Sequence, residues 1–285
     1  VAILETHMKK AARLLLLLPL LCPGLSAADK PNIIYIMLDD AGYGDVGCYG
    51  QKNFKTPNVD ALAAGGLKFT QHYSGSTVCA PTRCCLMTGL HTGHAFVRGN
   101  REVKPVGQSP IPGDTVTVAK LLKKSGYTTG AFGKWGLGNP GSEGDPVNQG
   151  FDVFYGYNCQ RNAHTYYPTW LYHNLDKIEL DGKTYAHDLI MTEALKFIRK
   201  NKDGPFFCYL PWTIPHAAMH VPEKYAAPFR EKFSKYENTI GRYKGPSVKN
   251  PVAAFAGMMV KMDEGVGQVT SLLKELGIEK NTLVL

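Results

Sequence analysis

The 285 residues are enough for one large domain, or for a large domain and part of a second. An apolar content of 44% with 20% charged residues is typical of a globular protein and excludes disordered and fibrous chains. The net charge of +8 favours anionic partners, but the chain has no arginine-rich run interleaved with aromatic residues. We therefore expect no nucleic-acid-binding function.

The N-terminal segment has the composition of an export signal. Basic residues precede the apolar run 14–21, and small residues follow it. We expect residues 1–28 to be a signal peptide, with extra residues before Met8, and the mature protein to be secreted or periplasmic. A lipoprotein anchor at Cys22 is the alternative, but Leu21 is bulkier than such sites normally accept. Later apolar runs are too short for a stable membrane span.

The chain then alternates predicted strands and helices, which indicates an α/β fold with a mainly parallel sheet covered on both faces. The continuous apolar run at 32–38 predicts a buried strand, Thr56-Pro57 predicts the start of a helix that ends near residue 65, and 67–73 predicts a strand. Further predictions are a helix over 117–125, a strand over 127–132, a helix over 184–200, a strand over 206–210, a helix over 251–276 and a strand over 282–285. The remaining segments, 136–182 and 211–250, are predicted to be loops that build a substrate site.

Two carboxylates, Asp39 and Asp40, directly follow the first predicted strand. Open α/β sheets bind ligands at this carboxyl end of their strands. Adjacent carboxylates repel each other unless a cation lies between them or solvent screens them. The pair is therefore either a cation site or a solvated turn.

Cys79 opens the run Cys-Ala-Pro-Thr-Arg, which continues to Thr88-Gly89. Pro81 fits the first turn of a helix, and the N–H groups at a helix N-terminus suit a sulfate or another oxyanion. Arg83 lies one turn into the same helix, where it could neutralise charge or could be a surface salt-bridge partner. A short Cys-x-Pro-x-Arg match by itself more often marks an ordinary half-buried cysteine.

The longer pattern Cys-x-Pro-x-Arg-x-x-Leu-x-Thr-Gly resembles the signature of the type I sulfatases, in the alkaline-phosphatase-like superfamily. Residues 31–44 resemble the N-terminal motif of that family, and 133–138 and 215–222 resemble two further motifs. The resemblance implies that 29–285 is an incomplete N-terminal catalytic domain with the superfamily's sandwich of helices around a sheet. In the family, an Asp-Asn-Gly metal motif, a further lysine and a smaller C-terminal domain would follow Leu285, so the chain by itself is expected to be inactive.

The resemblance also implies arylsulfatase-like hydrolysis of a sulfate monoester. Cys79 would be converted to formylglycine by a formylglycine-generating or an anaerobic sulfatase-maturating enzyme, and the hydrated aldehyde would be the nucleophile. Residue 79 would hold a divalent cation together with Asp39 and Asp40. The cation would be calcium, with magnesium as the alternative.

The same resemblance assigns roles to three further side chains. Arg83 and Lys134 would stabilise the charge of the reacting group, with Lys134 also contacting the sulfate. His216 would bind the substrate and protonate the departing alcohol. In the long predicted helix, Asp263-Glu264 is interpreted as a surface or hinge contact.

One position departs from the family pattern. Gly136 stands where the family motif Gly-Lys-Trp-His-Leu-Gly has a histidine that holds the formylglycine hydroxyl. His164, in a loop rich in tyrosine and histidine, is the predicted substitute and a substrate-binding candidate. The alternative is that His164 belongs to an aromatic loop without such a role.

The natural substrate predicted from the basic charge and the aromatic loops is a sulfated sugar or another sulfated small molecule. Two other functions stay open on sequence alone. The first is hydrolysis of a phosphate or phosphonate ester on the same scaffold. The second is a catalytically dead fragment that binds sulfated glycans.

Overall fold

A computed structural model of the chain describes residues 30–243 and 245–285. The predicted signal peptide and the alternative anchor at Cys22 lie outside the described residues. Within them, no helix combines the length and apolar character needed to cross a membrane.

The described residues form nine strands and six α-helices. The strands are β1 (Asn32–Asp39), β2 (Thr128–Lys134), β3 (Val153–Tyr157), β4 (Trp170–His173), β5 (Asp176–Glu179), β6 (Phe206–Pro215), β7 (Ile240–Gly241), β8 (Val248–Lys249) and β9 (Thr282–Val284). The helices are α1 (Pro57–Gly65), α2 (Cys79–Thr88), α3 (Val118–Lys124), α4 (Ala186–Lys200), α5 (Glu223–Arg230) and α6 (Pro251–Glu275).

Seven strands form one sheet in the order β5-β4-β3-β2-β6-β1-β9. The five strands from β3 to β9 are parallel to their neighbours, and β4 and β5 continue the sheet as an antiparallel hairpin at one edge. Strands β7 and β8 form a separate hairpin. The prediction of an α/β fold with a mainly parallel sheet is confirmed.

Helices pack on both faces of this sheet. Residues of α4 and α6, such as Phe197 and Met262, form one core with Phe206 and Ile34. Residues of α2 and α3, such as Met87 and Ala119, form a second core on other strand residues, including Phe207. All ten residues of β6 are buried, because both faces of this central strand are covered.

The predicted strand at 67–73 is wrong. The structure has no strand there, and Leu67 and Phe69 are 86% and 56% exposed. An extended apolar segment forms a strand only when a neighbouring strand supplies hydrogen bonds. In the described sheet, residues 67–73 pair with none of the seven strands.

The segments 136–182 and 211–250, predicted to be rich in loops, also contain short regular elements: the first contains β3, β4 and β5, and the second contains α5 and a hairpin. The edge strands β4 and β5 have four residues each, too few for a clear alternation of apolar and polar side chains. Strand β6 also continues to Pro215, five residues beyond the predicted end.

The N-terminus of α1 is capped by a residue that is distant in sequence. Thr56 precedes the helix as predicted, but its hydroxyl accepts the Gly47 N–H (2.8 Å) and does not cap α1. The buried Asp263 carboxylate of α6 instead accepts the N–H groups of Asn58 (3.0 Å) and Val59 (2.9 Å). The interpretation of Asp263 as a surface or hinge contact is therefore wrong, since the carboxylate links two helices.

Candidate active site

Three of the predicted site residues lie at the carboxyl ends of adjacent parallel strands. Asp39 ends β1, Lys134 ends β2, and His216 directly follows β6, which lies between those two strands. Cys79 is the first residue of α2 and approaches the same edge. Ligand atoms of Asp39, Cys79 and His216 lie within 4.8 Å of one another. The fold thus gathers one site from residues that are up to 177 positions apart in sequence (216 − 39).

Helix α2 holds Cys79 at its first turn. Pro81 lies in that turn, where its missing N–H costs no helical hydrogen bond. The Asn100 side chain accepts the N–H of Ala80 (3.0 Å), and the helix ends at Gly89, whose φ of 67° is left-handed. The position of residue 79 is therefore fixed by contacts at both ends of the helix.

A buried carboxylate with two cations lies beside Cys79. Lys134 Nζ lies 2.6 Å from Asp39 Oδ2, and Arg83 Nη2 lies 3.6 Å from the same oxygen. Burial raises the pKa of Asp39, but Lys134, Arg83 and His216 outweigh it and hold that pKa below its ordinary value. Asp39 is therefore ionised at neutral pH.

Arg83 is 1% exposed, which excludes the alternative that it is a surface salt-bridge partner. Its Nη1 donates to the carbonyl oxygen of Lys134, the last residue of β2. The guanidinium thus connects α2 to the strand end that carries the second cation. Both positive charges are held on the same side of Asp39.

His216 contacts both Cys79 and the second carboxylate of the pair. Burial raises the pKa of the Cys79 thiol, but the hydrogen bond with His216 and the nearby cations reverse that effect and leave the pKa below its ordinary value. Burial lowers the pKa of His216, yet its contact with Cys79 and the charge of Asp39 raise it overall. His216 Nε2 also lies 3.2 Å from Asp40 Oδ2. The pKa of His216 is thus raised while residue 79 is a cysteine.

Asp40 differs from Asp39 in environment, since its side chain is 61% exposed. Its backbone φ of 67° is left-handed, a conformation that is uncommon for residues other than glycine and that concentrates at functional sites. Both carboxylates line one open cavity of about 870 Å³ together with Cys79 and Arg83.

The carboxylates suit a hard divalent cation. Calcium and magnesium prefer oxygen ligands, and Asp39 and Asp40 supply carboxylate oxygens beside residue 79. Asp39 is already ionised, so binding a cation there needs no loss of a proton. Asp39 therefore suits such an ion, and its ligand atom lies within 4.8 Å of those of Cys79 and His216. Asp40 is not part of that group, and its Oδ2 lies 3.2 Å from His216 Nε2.

His164 lies against His216, with 4.8 Å between the ring centroids. Tyr243, in the turn between β7 and β8, contacts both rings at 5.2 Å from His164 and 5.6 Å from His216. Tyr166 donates its hydroxyl to the carbonyl oxygens of His216 (2.6 Å) and Thr213 (2.9 Å). His164 is thus brought to the site, and the sequence analysis missed Tyr243 because its loop has no recognisable motif.

The space beside Gly136 is occupied by another side chain. A Cβ at this position would lie 2.5 Å from Gln160 Nε2, and the Gly136 φ of +85° is left-handed. Gln160 is 5% exposed, and neither of its amide atoms has a hydrogen-bond partner among the described residues. Gln160 therefore fills the space that a side chain at position 136 would need. In the sequence, Gly136 was the signal that could have led to Gln160.

The model of the Sulfatase family matches residues 31–285. The chain is 32% identical to N-acetylgalactosamine-6-sulfatase of Rattus norvegicus, covering 94% of this chain and 52% of that protein. It is 34% identical to arylsulfatase A of Homo sapiens, covering 94% of this chain and 54% of that protein. The chain spans about half the length of these curated relatives.

A solved structure, the crystal structure of Ps i-CgsB, has the same fold. The two superpose with a TM-score of 0.74 at 31% identity, over 90% of this chain and 57% of that one. Ps i-CgsB has also been solved in complex with k-i-k-neocarrahexaose, with the same TM-score.

Proposed function

Because the chain belongs to the sulfatase family, we propose that the protein it comes from hydrolyses a sulfate monoester, with a sulfated sugar as its substrate. The observation that carries this proposal is the convergence of Asp39, Lys134 and His216 on Cys79 at one edge of the sheet. The names of the similar proteins support the substrate class, since they include an N-acetylgalactosamine-6-sulfatase and a protein solved with a neocarrahexaose.

The nucleophile is proposed to be residue 79 after conversion of Cys79 to formylglycine. The modification supplies a hydrated aldehyde, one hydroxyl of which attacks sulfur while the other allows the aldehyde to form again. Cys79 is half-buried at the start of α2 and lines the same cavity as Asp39 and Asp40. The proposal also includes a maturation enzyme that converts Cys79, and export of the protein to the periplasm or the cell exterior.

The neighbouring side chains have distinct roles in this reaction. Lys134 and Arg83 lie beside the reacting position and stabilise negative charge on the sulfate oxygens. Asp39 and Asp40 would hold a calcium or magnesium ion, which would supply further positive charge beside the sulfate group. His216 holds a proton in contact with residue 79 and donates it to the departing alcohol.

Paired kinetics of the full-length protein on matched sulfate, phosphate and phosphonate esters test the proposal. We expect the sulfate ester to have the highest kcat/KM, and removal of divalent cations by a chelator to lower it. A higher kcat/KM for the phosphate or phosphonate ester would replace the proposal with the alternative hydrolase. Binding of a sulfated glycan without hydrolysis of any ester would favour the catalytically dead alternative.

A further inference from the structure

A second cavity, of about 800 Å³, lies beside α2 and shares the lining residue Leu90 with the cavity that contains Cys79. Its lining includes His94 and two arginines, Arg98 and Arg101. Of the described residues that line it, none is an aspartate or a glutamate. The cavity is therefore an electropositive concave surface.

The cavity runs along the helix that begins with Cys79. Asn100 lines it and accepts the Ala80 N–H at the first turn of α2, whereas Thr88, the last residue of α2, lines its other part. Nine helical steps separate Cys79 from Thr88, a distance of about 14 Å. One extended ligand could therefore reach from the Cys79 site into this cavity.

The arginines of the cavity are not neutralised by the nearest acidic residues. Glu102 follows Arg101 in sequence but pairs with Arg161 at 2.6 Å. Asp114 is next to the lining residue Thr115 and does not itself line the cavity. Arg98 Nε donates to the Ala95 carbonyl oxygen (3.0 Å), which orients its guanidinium. A preoriented guanidinium binds a sulfate or carboxylate through paired hydrogen bonds.

We propose that the cavity lined by His94, Arg98 and Arg101, here called the second anion site, binds a second sulfate or carboxylate of the glycan chain whose sulfate ester reacts at Cys79. The inference rests on the proposed function, and it narrows the substrate to glycans with at least two negative groups. Arg98 and Arg101 both line the cavity, and its lining has no acidic residue among those described, so an anion bound there would meet positive charge without a competing carboxylate.

The test uses the full-length mature protein and the variants Arg98→Gln and Arg101→Gln. The substrates are 4-nitrophenyl sulfate, an oligosaccharide with one sulfate, and the same oligosaccharide with either a second sulfate or a carboxylate. For each doubly charged substrate that the site accepts, we expect either variant to raise KM about tenfold with kcat unchanged. KM for the two singly charged substrates should stay the same. The control Arg199→Gln removes an exposed charge paired with Glu275 and should change nothing.

Equal effects on all four substrates, or no effect on any, would overturn the second anion site while leaving sulfate ester hydrolysis intact. Calorimetric binding of the doubly sulfated and the carboxylated oligosaccharides decides the inference even if no ester is hydrolysed. About tenfold weaker binding of at least one of them in both variants would support the site, and binding of both equal to that of the wild type would refute it. The doubly charged substrate whose KM rises in the variants shows whether the site accepts sulfate, carboxylate or both.

Discussion

Lys134 Nζ lies 2.6 Å from Asp39 Oδ2, and both side chains are buried where β2 and β1 end. The pair joins the two strands that flank β6 and keeps a carboxylate ionised inside the protein. Burying either charge without its partner is costly, so the pair links the stability of the sheet edge to the chemistry of the site.

The variant Lys134→Ala should lower the free energy of unfolding by about 3 to 5 kcal/mol, because it leaves the Asp39 carboxylate buried with one cation fewer. Calcium should restore part of this loss, since a bound ion would replace the missing positive charge. Denaturant unfolding with and without calcium measures both effects. Lys196→Ala, which removes an exposed pair with Glu193, is the control and should change stability by less than about 1 kcal/mol. A Lys134→Ala protein as stable as the wild type would contradict the prediction.

The variant His216→Asn should slow hydrolysis of sugar sulfates by about 10²- to 10⁴-fold, because the sugar alcohol leaves poorly without a proton. The effect on 4-nitrophenyl sulfate should be much smaller, since nitrophenolate leaves without protonation. Comparing kcat for the two substrates measures the difference. The exposed His173→Asn variant serves as control. Equal losses on both substrates would show that His216 does not protonate the leaving group.

The variant Gly136→His, which introduces the histidine of the family motif, should lower the free energy of unfolding by about 2 to 4 kcal/mol. The new side chain would have a left-handed backbone and would overlap Gln160. Adding Gln160→Ala to the Gly136→His variant should restore the part of the lost free energy of unfolding that is due to overlap with Gln160. Gly141→His, with a φ of +76° and nothing within 4 Å of the added Cβ, measures the backbone cost alone. If Gly136→His cost no more than Gly141→His in thermal unfolding, Gln160 would not fill the site of the missing histidine.

Stability should fall in mild acid because of His187, which is fully buried against Trp212. Burial lowers the pKa of His187 from 6.5 to about 3, so the native state binds this proton less well than the unfolded state. The contribution of neutral His187 to the free energy of unfolding is therefore complete above pH 6.5 and decreases as the pH falls from 6.5 toward 3. At pH 5 the loss amounts to about 2 kcal/mol.

The variant His187→Phe removes this proton-binding group, so its melting temperature should decrease less than that of the wild type between pH 7.5 and pH 5. His72→Gln replaces an exposed histidine and should reproduce the wild-type profile. Parallel curves for His187→Phe and the wild type would contradict the assignment of the acid sensitivity to His187.

The sequence predicted much of the sheet and most of the site, because both depend on local patterns. A continuous apolar run marks a buried parallel strand, and Asp39 could be assigned to a strand end from the residues that precede it. His216 could not, because its strand was predicted to end at residue 210 and continues to Pro215. Parallel strands present their carboxyl ends at one edge of the sheet. Once the strands were predicted, the residues that follow them could therefore be expected to share one site. The convergence of these residues on Cys79 is the structural result that agrees with that reasoning.

The sequence could not reveal contacts that depend on how distant segments pack. Asp263 caps α1 from the far end of the chain, and Gln160 fills the space beside Gly136. Tyr243 reaches His216 through a short hairpin whose two-residue strands have no periodic pattern. The strand expected at 67–73 had a suitable composition but no neighbour to pair with, and pairing is a property of the whole sheet.

The central claim is that residue 79 acts as formylglycine in sulfate ester hydrolysis. The most direct test is the mass of the peptide that contains residue 79, taken from full-length protein that hydrolyses a sulfate ester. We predict a mass about 18 Da below that of the cysteine peptide, because the thiol sulfur is replaced by an aldehyde oxygen and two hydrogens are lost. An unmodified Cys79 peptide as the sole species in fully active protein would contradict the account.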